Sequence, residues 1–365
     1  MSDPRPVREL PERPNLDQLK RQAKELRASG AHSSLSTAQR ALAREYGYAS
    51  WPRLKLAVEL ITLRRLIEDG DAPSVREFLQ SSPGLAKASF SDGSTPLHLA
   101  AGENRPAIVE TLVAFGAPFR AKYARSAHSA LSWAVTSWSF EAAHKLIELG
   151  EVPDLFCAAG LGLLDVTKGF WPDGRLRAHP STTGSSRSTE GGAPLPRPPQ
   201  SAGDQVSDAL YIACRCERVE VARWLLDHGA DPNWRGFAGA TCLAWAEFSG
   251  NTDLCALLRG RGGSDDLLDY EYRSTPKAFA LMVLAGWGFA QRLVDRLTVD
   301  RSLISLTGGC GTLLHAAALG GQIGSARILL HFGADRAARD SEGRTPAEIA
   351  AQKGNDALAA LLRTG

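Results

Sequence analysis

No stretch of the sequence approaches the roughly 18 to 20 uninterrupted apolar residues that a membrane-spanning helix needs. Its first residues, MSDPRPVRELPERP, also lack the apolar core of a secretory signal peptide. They are rich in proline and charge, which favours a disordered tail over residues 1–14. We therefore predict a soluble, cytoplasmic protein that has no membrane partner.

The sequence also lacks an excess of charge of either sign. It contains 42 Lys and Arg residues against 40 Asp and Glu residues, which gives a formal net charge of +2. A chain this close to neutrality produces no overall field that would draw it to nucleic acid or to an anionic membrane. Any charged binding site must therefore be local.

Cysteine is present without the pattern of a disulfide-rich domain. Five of the six cysteines lie in or beside predicted helices: Cys157, Cys214, Cys242, Cys255 and Cys310. A reduced cytosolic protein is the simpler interpretation. Cys214 and Cys216 lie two residues apart on a helix and point to different faces, unlike the ligand spacing of a structural zinc site. We therefore expect no metal site.

Motifs of catalysis are missing as well. The sequence contains no Gly-rich phosphate loop, no HExxH metal motif and no nucleophile elbow. Asp265, Asp266 and Asp269 are close in sequence, but such a group is more typical of a solvated turn. We predict that the protein is not an enzyme and has no cofactor.

What the sequence does contain is a repeat. A pattern that begins at Thr312 begins again 33 residues later, at Thr345. Thr312 is placed to cap a first helix, and His315, Ala316 and Ala317 keep that helix slim enough for close packing. A second helix presents the apolar run ILL to the core. Gly333 follows it, where a left-handed residue costs least.

The period of 33 residues and the order of these motifs resemble the ankyrin-repeat family. The unit at Thr95 fills the family's T-P-L-H-x-A pattern, as TPLHLA. The resemblance implies an all-α fold, in which helix-turn-helix units joined by β-turn loops stack into a solenoid. It also implies that His98 and His315 hold the turns between repeats by hydrogen bonds.

The repeats divide the remaining chain into four parts. A helical N-terminal module occupies residues 15–62 and carries no repeat pattern. Residues 63–170 hold an N-terminal capping unit and about three further units, of which the last, near Asp154, breaks the period. An insertion rich in Pro, Gly, Ser and Thr follows at 171–204. About five more units, including the C-terminal cap, occupy 205–365.

The insertion has two interpretations. Its composition offers too little apolar surface to offset the entropy of ordering, so it could be a passive tether. Alternatively, it folds over the concave face of the repeats, where three arginines would reach an anionic group: Arg175, Arg177 and Arg187.

The N-terminal module contains three predicted helices, the first capped by Asn15. Its stretch YGYASWPRLK resembles an N-terminal extension found on some bacterial ankyrin-repeat proteins, which implies no known activity. The favoured interpretation is a cap that docks on the first repeat. The alternative is a helix-turn-helix that contacts nucleic acid through four cations: Arg40, Arg44, Arg53 and Lys55.

The resemblance implies a non-catalytic scaffold, because ankyrin-repeat proteins usually bind other proteins through turn tips and the concave face. Two predicted tips combine aromatic residues with arginine, as interface anchors do. We expect them to contact a protein partner through seven residues: Phe119, Arg120, Tyr123, Arg125, Trp234, Arg235 and Phe237. The alternative is that these aromatic rings pack beneath neighbouring loops.

A second function stays open, in which the N-terminal module reads DNA and the repeats act as a sensor. Nucleic acid is the less favoured partner, and we expect a monomer. Core packing is the favoured role for four tryptophans on predicted helices: Trp133, Trp138, Trp224 and Trp245.

Overall fold

A computed structural model describes residues 8–11, 13–123, 128–177, 201–236, 241–264 and 276–363. Within these ranges, helices make up nearly all of the regular secondary structure, as the sequence predicts. The helices before the insertion are α1 Leu16–Ala28, α2 Leu35–Glu45, α3 Trp51–Asp69, α4 Ala72–Ser81, α5 Pro96–Gly102, α6 Pro106–Ala114, α7 Ala130–Thr136, α8 Phe140–Glu148, α9 Leu155–Leu161 and α10 Leu164–Lys168. The later helices are α11 Ala202–Arg215, α12 Val219–Asp227, α13 Cys242–Ser249, α14 Thr252–Gly260, α15 Pro276–Trp287, α16 Ala290–Val299, α17 Leu313–Leu319, α18 Ile323–His331, α19 Pro346–Gln352 and α20 Asp356–Arg363.

The described residues group into two compact bodies. The N-terminal body contains the residues up to Val152, except 135–138, and the C-terminal body contains 135–138 and the residues from Pro153 onward. The insertion therefore lies within the sequence of the C-terminal body.

Helices α1 to α3 form the N-terminal module. The helix α1 begins after Asn15, whose side chain accepts hydrogen bonds from the backbone N–H groups of Asp17 and Gln18, at 2.9 and 3.1 Å. The predicted cap is thus confirmed. The three helices share a small apolar core of their own, formed by Leu19, Ala23, Leu42, Ala43, Leu54 and Val58.

The helix α3 continues through the predicted boundary between residues 62 and 63. After Pro52 in its first turn, α3 contains no Pro or Gly before Gly70, which ends it with a left-handed φ of 76°. Leu54 and Val58 of α3 belong to the core of the module, while α4 and α5 pack against the same helix. One continuous helix therefore serves both the module and the first repeat unit.

From α3 onward, the helices follow one another in pairs, with a first and a second helix in each unit. The degenerate unit near Asp154 also forms such a pair, α9 and α10. The Asp154 carboxylate caps α9 by accepting from the backbone N–H of Cys157 at 2.8 Å. A broken period in the sequence thus still yields a helix pair.

Two repeats begin with the same Thr–His arrangement. At α5, the Thr95 backbone N–H lies 3.4 Å from Nδ1 of His98. Because a backbone N–H can only donate, Nδ1 accepts, and Nε2 donates to the carbonyl oxygen of His128 at 3.0 Å. His315 repeats this pattern at α17 and donates to the carbonyl oxygen of Arg344 at 3.0 Å. The turn-holding role expected of both histidines is confirmed.

Neighbouring units are also joined where their first helices end. Arg105, at the start of α6, donates to the carbonyl oxygen of Glu68 near the end of α3, at 2.8 Å. Arg218, at the start of α12, donates in the same way to the carbonyl oxygen of Gly160 in α9, at 3.1 Å. These bonds satisfy carbonyl groups that a helix end leaves without an internal partner.

The stack continues across the insertion. The helices α9 and α11 pack against each other although residues 178–200, which lie outside the described residues, come between them in the chain. A Cβ on Gly160 would lie 2.9 Å from Cγ1 of Ile212, so the glycine permits this close approach. The helix α11 begins at Ala202, ahead of the predicted resumption at residue 205.

Strand structure in the described part of the chain is confined to turn tips. Strands β1 (Thr307–Gly308) and β2 (Gly311–Thr312) form one antiparallel pair. Arg235 and Thr241 form an isolated antiparallel bridge at another tip. These contacts close the loops that lead into α17 and α13.

Candidate partner-binding surface

The first predicted tip follows α6 and is described as far as Tyr123. Arg120 and Lys122 are exposed, whereas Phe119 and Tyr123 are half-buried. The Tyr123 ring packs edge-to-face on the Trp133 indole, with ring centroids 4.7 Å apart. An aromatic contact inside the protein therefore orders part of this tip, while its two cations face solvent.

The Trp133 indole itself packs on α5, the first helix of the preceding unit. A Cβ on Gly102 would lie 2.8 Å from Nε1 of Trp133, so the indole lies directly against this glycine. The His98 ring stands edge-to-face to the indole at 5.7 Å. Burial lowers the pKa of His98, which keeps the imidazole neutral. The rings of His98, Trp133 and Tyr123 thus form a continuous row from helix to tip.

The second predicted tip follows α12 and folds back on its own unit. Trp234 is half-buried and donates its indole N–H to Oδ1 of Asp208 in α11, at 3.3 Å. Arg235 is half-buried, and Gly236 lies against the Tyr211 ring. The Trp234 indole N–H is therefore engaged with a helix of its own unit.

Some of the predicted contact residues lie outside the described residues, namely Arg125, Phe237 and the Arg187 of the insertion. The other two arginines of the insertion, Arg175 and Arg177, are exposed. Among the described predicted contacts, the first tip offers more solvent-facing charge than the second.

The four cations predicted for nucleic-acid contact are all exposed. Arg40 and Arg44 lie one turn apart on the same face of α2. Arg53 and Lys55 lie two residues apart on α3, so their side chains project about 200° from each other. Lys55 also pairs with Glu59 at 3.4 Å. The four cations therefore do not share a single helix face.

The four predicted core tryptophans divide into one buried and three half-buried residues. Trp245 is 1% exposed, as expected of a core residue. Trp224 stacks on His228, with ring centroids 3.7 Å apart. Trp133 lies on α7 and contacts Tyr123 of the first tip, and Trp138 lies in the loop between α7 and α8. The prediction of core packing therefore holds fully for Trp245 alone.

Sequence reasoning missed a group of aromatic and arginine side chains in the C-terminal body. We name it the Trp138 cluster, and its members are Trp138, Arg215, Trp245, Phe289 and Arg292. The cluster could have been noticed because Trp138 occupies a loop position at which most later units carry glycine.

Two buried cysteines, Cys214 and Cys216, lie at the end of α11. Burial raises the pKa of Cys214, and it raises that of Cys216 to about 11, so both thiols are protonated at neutral pH. Among the residues that the structure describes, no three or more His, Cys, Asp or Glu side chains are grouped to hold a metal ion. None of the described helices combines the length and the apolarity needed to span a bilayer.

The comparisons with known proteins agree with this geometry. The model of the family described as "Ankyrin repeat" matches residues 92–122, 208–236 and 311–341. The chain is 39% identical over 77 residues to the inactive serine/threonine-protein kinase TEX14 of Mus musculus, a match that covers 21% of this chain and 5% of the kinase. It is 27% identical over 139 residues to the putative ankyrin repeat protein FPV230 of Fowlpox virus (strain NVSL), a match that covers 38% of this chain and 70% of the viral protein.

The chain thus spans only about a twentieth of the kinase relative's length. The matched segments contain α5 with α6, the C-terminal part of α11 with α12, and α17 with α18, together with the turns between the paired helices. These findings identify the chain as an ankyrin-repeat protein with an all-α solenoid fold.

Proposed function

We propose that this protein is a non-catalytic scaffold that binds another protein through its turn tips and the concave face of its repeats. Repeats of this family generally act as protein–protein interaction modules. The observation that carries the proposal is the first tip, where Arg120 and Lys122 face solvent beside a Tyr123 ring held by Trp133.

Part of the first tip is already held in place before a partner binds, and this favours binding. Because Trp133 already holds the Tyr123 ring, docking a partner there costs little side-chain entropy. Arg120 can then pair with an acceptor on the partner, while the half-buried Phe119 supplies apolar contact area. The second tip contributes less in this proposal, since the Trp234 indole is engaged with Asp208.

Partner capture tests the proposal. The full chain is immobilised and exposed to a nuclease-treated lysate of the source organism, beside a Phe119→Ala, Arg120→Ala variant. Arg327→Ala is the matched control, because Arg327 is exposed on the second helix α18, away from any tip. Binding of the isolated partner is then measured by calorimetry. We expect the tip variant to bind about tenfold more weakly or worse and the control to bind like the parent.

Two results would count against the proposal. A partner that binds all three proteins equally would exclude the first tip as the contact. If the parent retains no protein, while untreated lysate yields nucleic acid, the scaffold function itself fails.

The second candidate function is DNA binding through the N-terminal module, with the repeats as a sensor. The exposure of all four predicted cations supports it. It requires duplex binding that weakens steeply with salt, because phosphate contacts release counterions. An Arg40→Gln, Arg44→Gln variant should then reduce that salt dependence, whereas the scaffold function predicts no duplex binding to reduce.

A further inference from the structure

Trp138 adopts a backbone conformation that is unusual for its side chain. Its φ is 57°, in the left-handed region. The loops after α13, α15 and α17 contain glycine with similar φ angles, at Gly250, Gly288 and Gly321. A tryptophan is strained where these units use glycine, so surrounding contacts must hold it there.

Those contacts come from later repeats of the C-terminal body. The indole N–H of Trp138 donates to the carbonyl oxygen of Arg215, at the end of α11, over 3.0 Å. Its ring stands edge-to-face to Trp245 of α13 at 5.9 Å and to Phe289, which precedes α16, at 5.1 Å. One loop residue thus packs on three later units.

Two guanidinium groups lie over the same indole ring. The Cζ atom of Arg215 is 4.3 Å from the ring centroid, and that of Arg292 is 5.0 Å from it. Arg215 is 3% exposed and also lies 4.7 Å from the Trp245 ring. Arg292, on α16, is half-buried and reaches solvent.

The two cations raise the local positive potential. Burial lowers the pKa of Arg215, and the neighbouring charge of Arg292 lowers it further. Like charges close together in a region of low dielectric repel each other strongly. An anion that reached Arg292 would therefore gain more here than beside an isolated surface arginine.

We propose that the Trp138 cluster binds an acidic side chain of a peptide segment, with Arg292 pairing directly with the carboxylate. This inference rests on the proposed scaffold function, since it names the chemistry of the partner at a site outside the first tip. A planar guanidinium matches a carboxylate with two parallel hydrogen bonds. The half-buried rings of Trp138 and Phe289 beside it provide apolar contact for the rest of the segment.

A peptide fits the cluster better than a nucleic acid does. Binding to a phosphate backbone draws its affinity from many cations placed along a strand. Of the two cations in the cluster, Arg292 reaches solvent, while Arg215 is buried. One accessible guanidinium beside aromatic rings can pair with a single carboxylate, but it does not provide the row of cations that a phosphate backbone needs.

The test uses the full chain and a fluorescein-labelled hexaglutamate peptide, with binding measured by fluorescence anisotropy at low ionic strength. We expect Arg292→Gln to weaken binding about tenfold and Arg292→Lys, which keeps the charge and loses the fork geometry, to weaken it less. Arg223→Gln is the matched control, because Arg223 is exposed on α12. Melting curves confirm that each variant is folded.

Three results would overturn the inference. The Arg292 variants could bind hexaglutamate like the parent. Arg223→Gln could weaken binding equally, which would indicate non-specific attraction. A single-stranded oligonucleotide could bind more tightly than hexaglutamate and show the same loss in Arg292→Gln, which would make the ligand a nucleic acid. If hexaglutamate binding is retained in the Arg40→Gln, Arg44→Gln variant and lost in Arg292→Gln, the result would support the Trp138 cluster as the binding site.

The two proposals can fail separately. If a captured partner depends on Phe119 and Arg120 but binds Arg292→Gln normally, and hexaglutamate does not distinguish the Arg292 variants, the scaffold stands and the cluster inference falls. If no protein partner is captured, yet hexaglutamate requires Arg292, the scaffold falls and the anion site stands.

Discussion

Trp245 donates its indole N–H to the phenolic oxygen of Tyr211 over 2.9 Å, in the interior of the C-terminal body. Tyr211 stands in the sequence LYIA of α11, at the place that His98 occupies in the LHLA of α5. His98 holds the next turn through a carbonyl group, whereas Tyr211 reaches the first helix of the next unit. A repeat without the histidine is therefore joined to its neighbour by a different polar bond.

The buried phenol predicts a loss of stability at high pH. Burial raises the pKa of Tyr211 to about 12, against about 10 in an unfolded chain. The folded protein holds the proton more tightly, so the free energy of unfolding falls as the pH rises through this window. Between about pH 8 and about pH 11, the parent should lose about 1.4 kcal/mol more than Tyr211→Phe in urea titrations.

The difference between the two proteins isolates Tyr211, because Cys216 and the other ionisable groups are present in both. Tyr211→Phe also leaves the Trp245 N–H without its acceptor, which should lower stability at neutral pH by about 1 to 3 kcal/mol. Equal losses of stability on going to high pH would contradict the prediction.

The buried imidazole of His98 predicts the opposite pH dependence, in which the free energy of unfolding falls as the pH decreases. Burial lowers its pKa, so the unfolded state takes up a proton first as the pH falls below about 6.5, and stability is lost in that direction. His98→Gln should remove this loss and should cost about 1 kcal/mol at neutral pH, through the weakened bond to His128. Urea denaturation at neutral and mildly acidic pH measures both effects, with the exposed His228→Gln as control. A parent-like acid loss in His98→Gln would exclude His98 as its source.

The sequence predicted what is encoded locally. The pattern at Thr95 and His98 lies within one helix turn, so the cap, the helix and the turn-holding bond all followed from it. The family resemblance then supplied the stacking. A degenerate unit near Asp154 was recognisable because its capping residue and its apolar run were intact.

The features that escaped prediction depend on residues that are distant in the chain. Trp138 and Arg215 are 77 residues apart, and no local pattern indicates that they meet. The length of α3 was missed for another reason. Between Pro52 and Gly70, apolar residues of the module and of the first repeat follow each other without Pro or Gly, so the sequence does not mark where the module ends.

The close packing of α15 and α17 predicts that alanine substitution at two glycines changes stability in opposite directions. A Cβ on Gly320 would lie 1.7 Å from the carbonyl oxygen of Gly286, a backbone atom that cannot move aside cheaply. Gly320→Ala should therefore destabilise the protein by about 3 kcal/mol. A Cβ on Gly324, within α18, would meet no atom within 4 Å, so Gly324→Ala should stabilise by about 0.5 to 1 kcal/mol. Thermal melts of the two variants check both signs, and a stable Gly320→Ala would rule out the close helix contact.

The strained loop of the Trp138 cluster predicts that substitution by glycine changes stability in opposite directions at two positions. Trp138 and Glu217 both follow a first helix with left-handed φ angles of 57° and 62°. Glu217 is exposed, so Glu217→Gly should relieve strain at little other cost and stabilise by about 0.5 to 1 kcal/mol. Trp138→Gly relieves the same strain but deletes the ring that contacts Trp245 and Phe289. The lost contacts outweigh the relief, for a net loss of about 2 kcal/mol.

Chemical denaturation of Trp138→Gly, Glu217→Gly and the parent tests this difference. The two variants should move to opposite sides of the parent. If Trp138→Gly were as stable as Glu217→Gly, the aromatic contacts would contribute nothing that offsets the strain. The contacts of Arg215 and Arg292 with the indole would then be incidental to the fold, and a strained tryptophan would no longer point to a binding site.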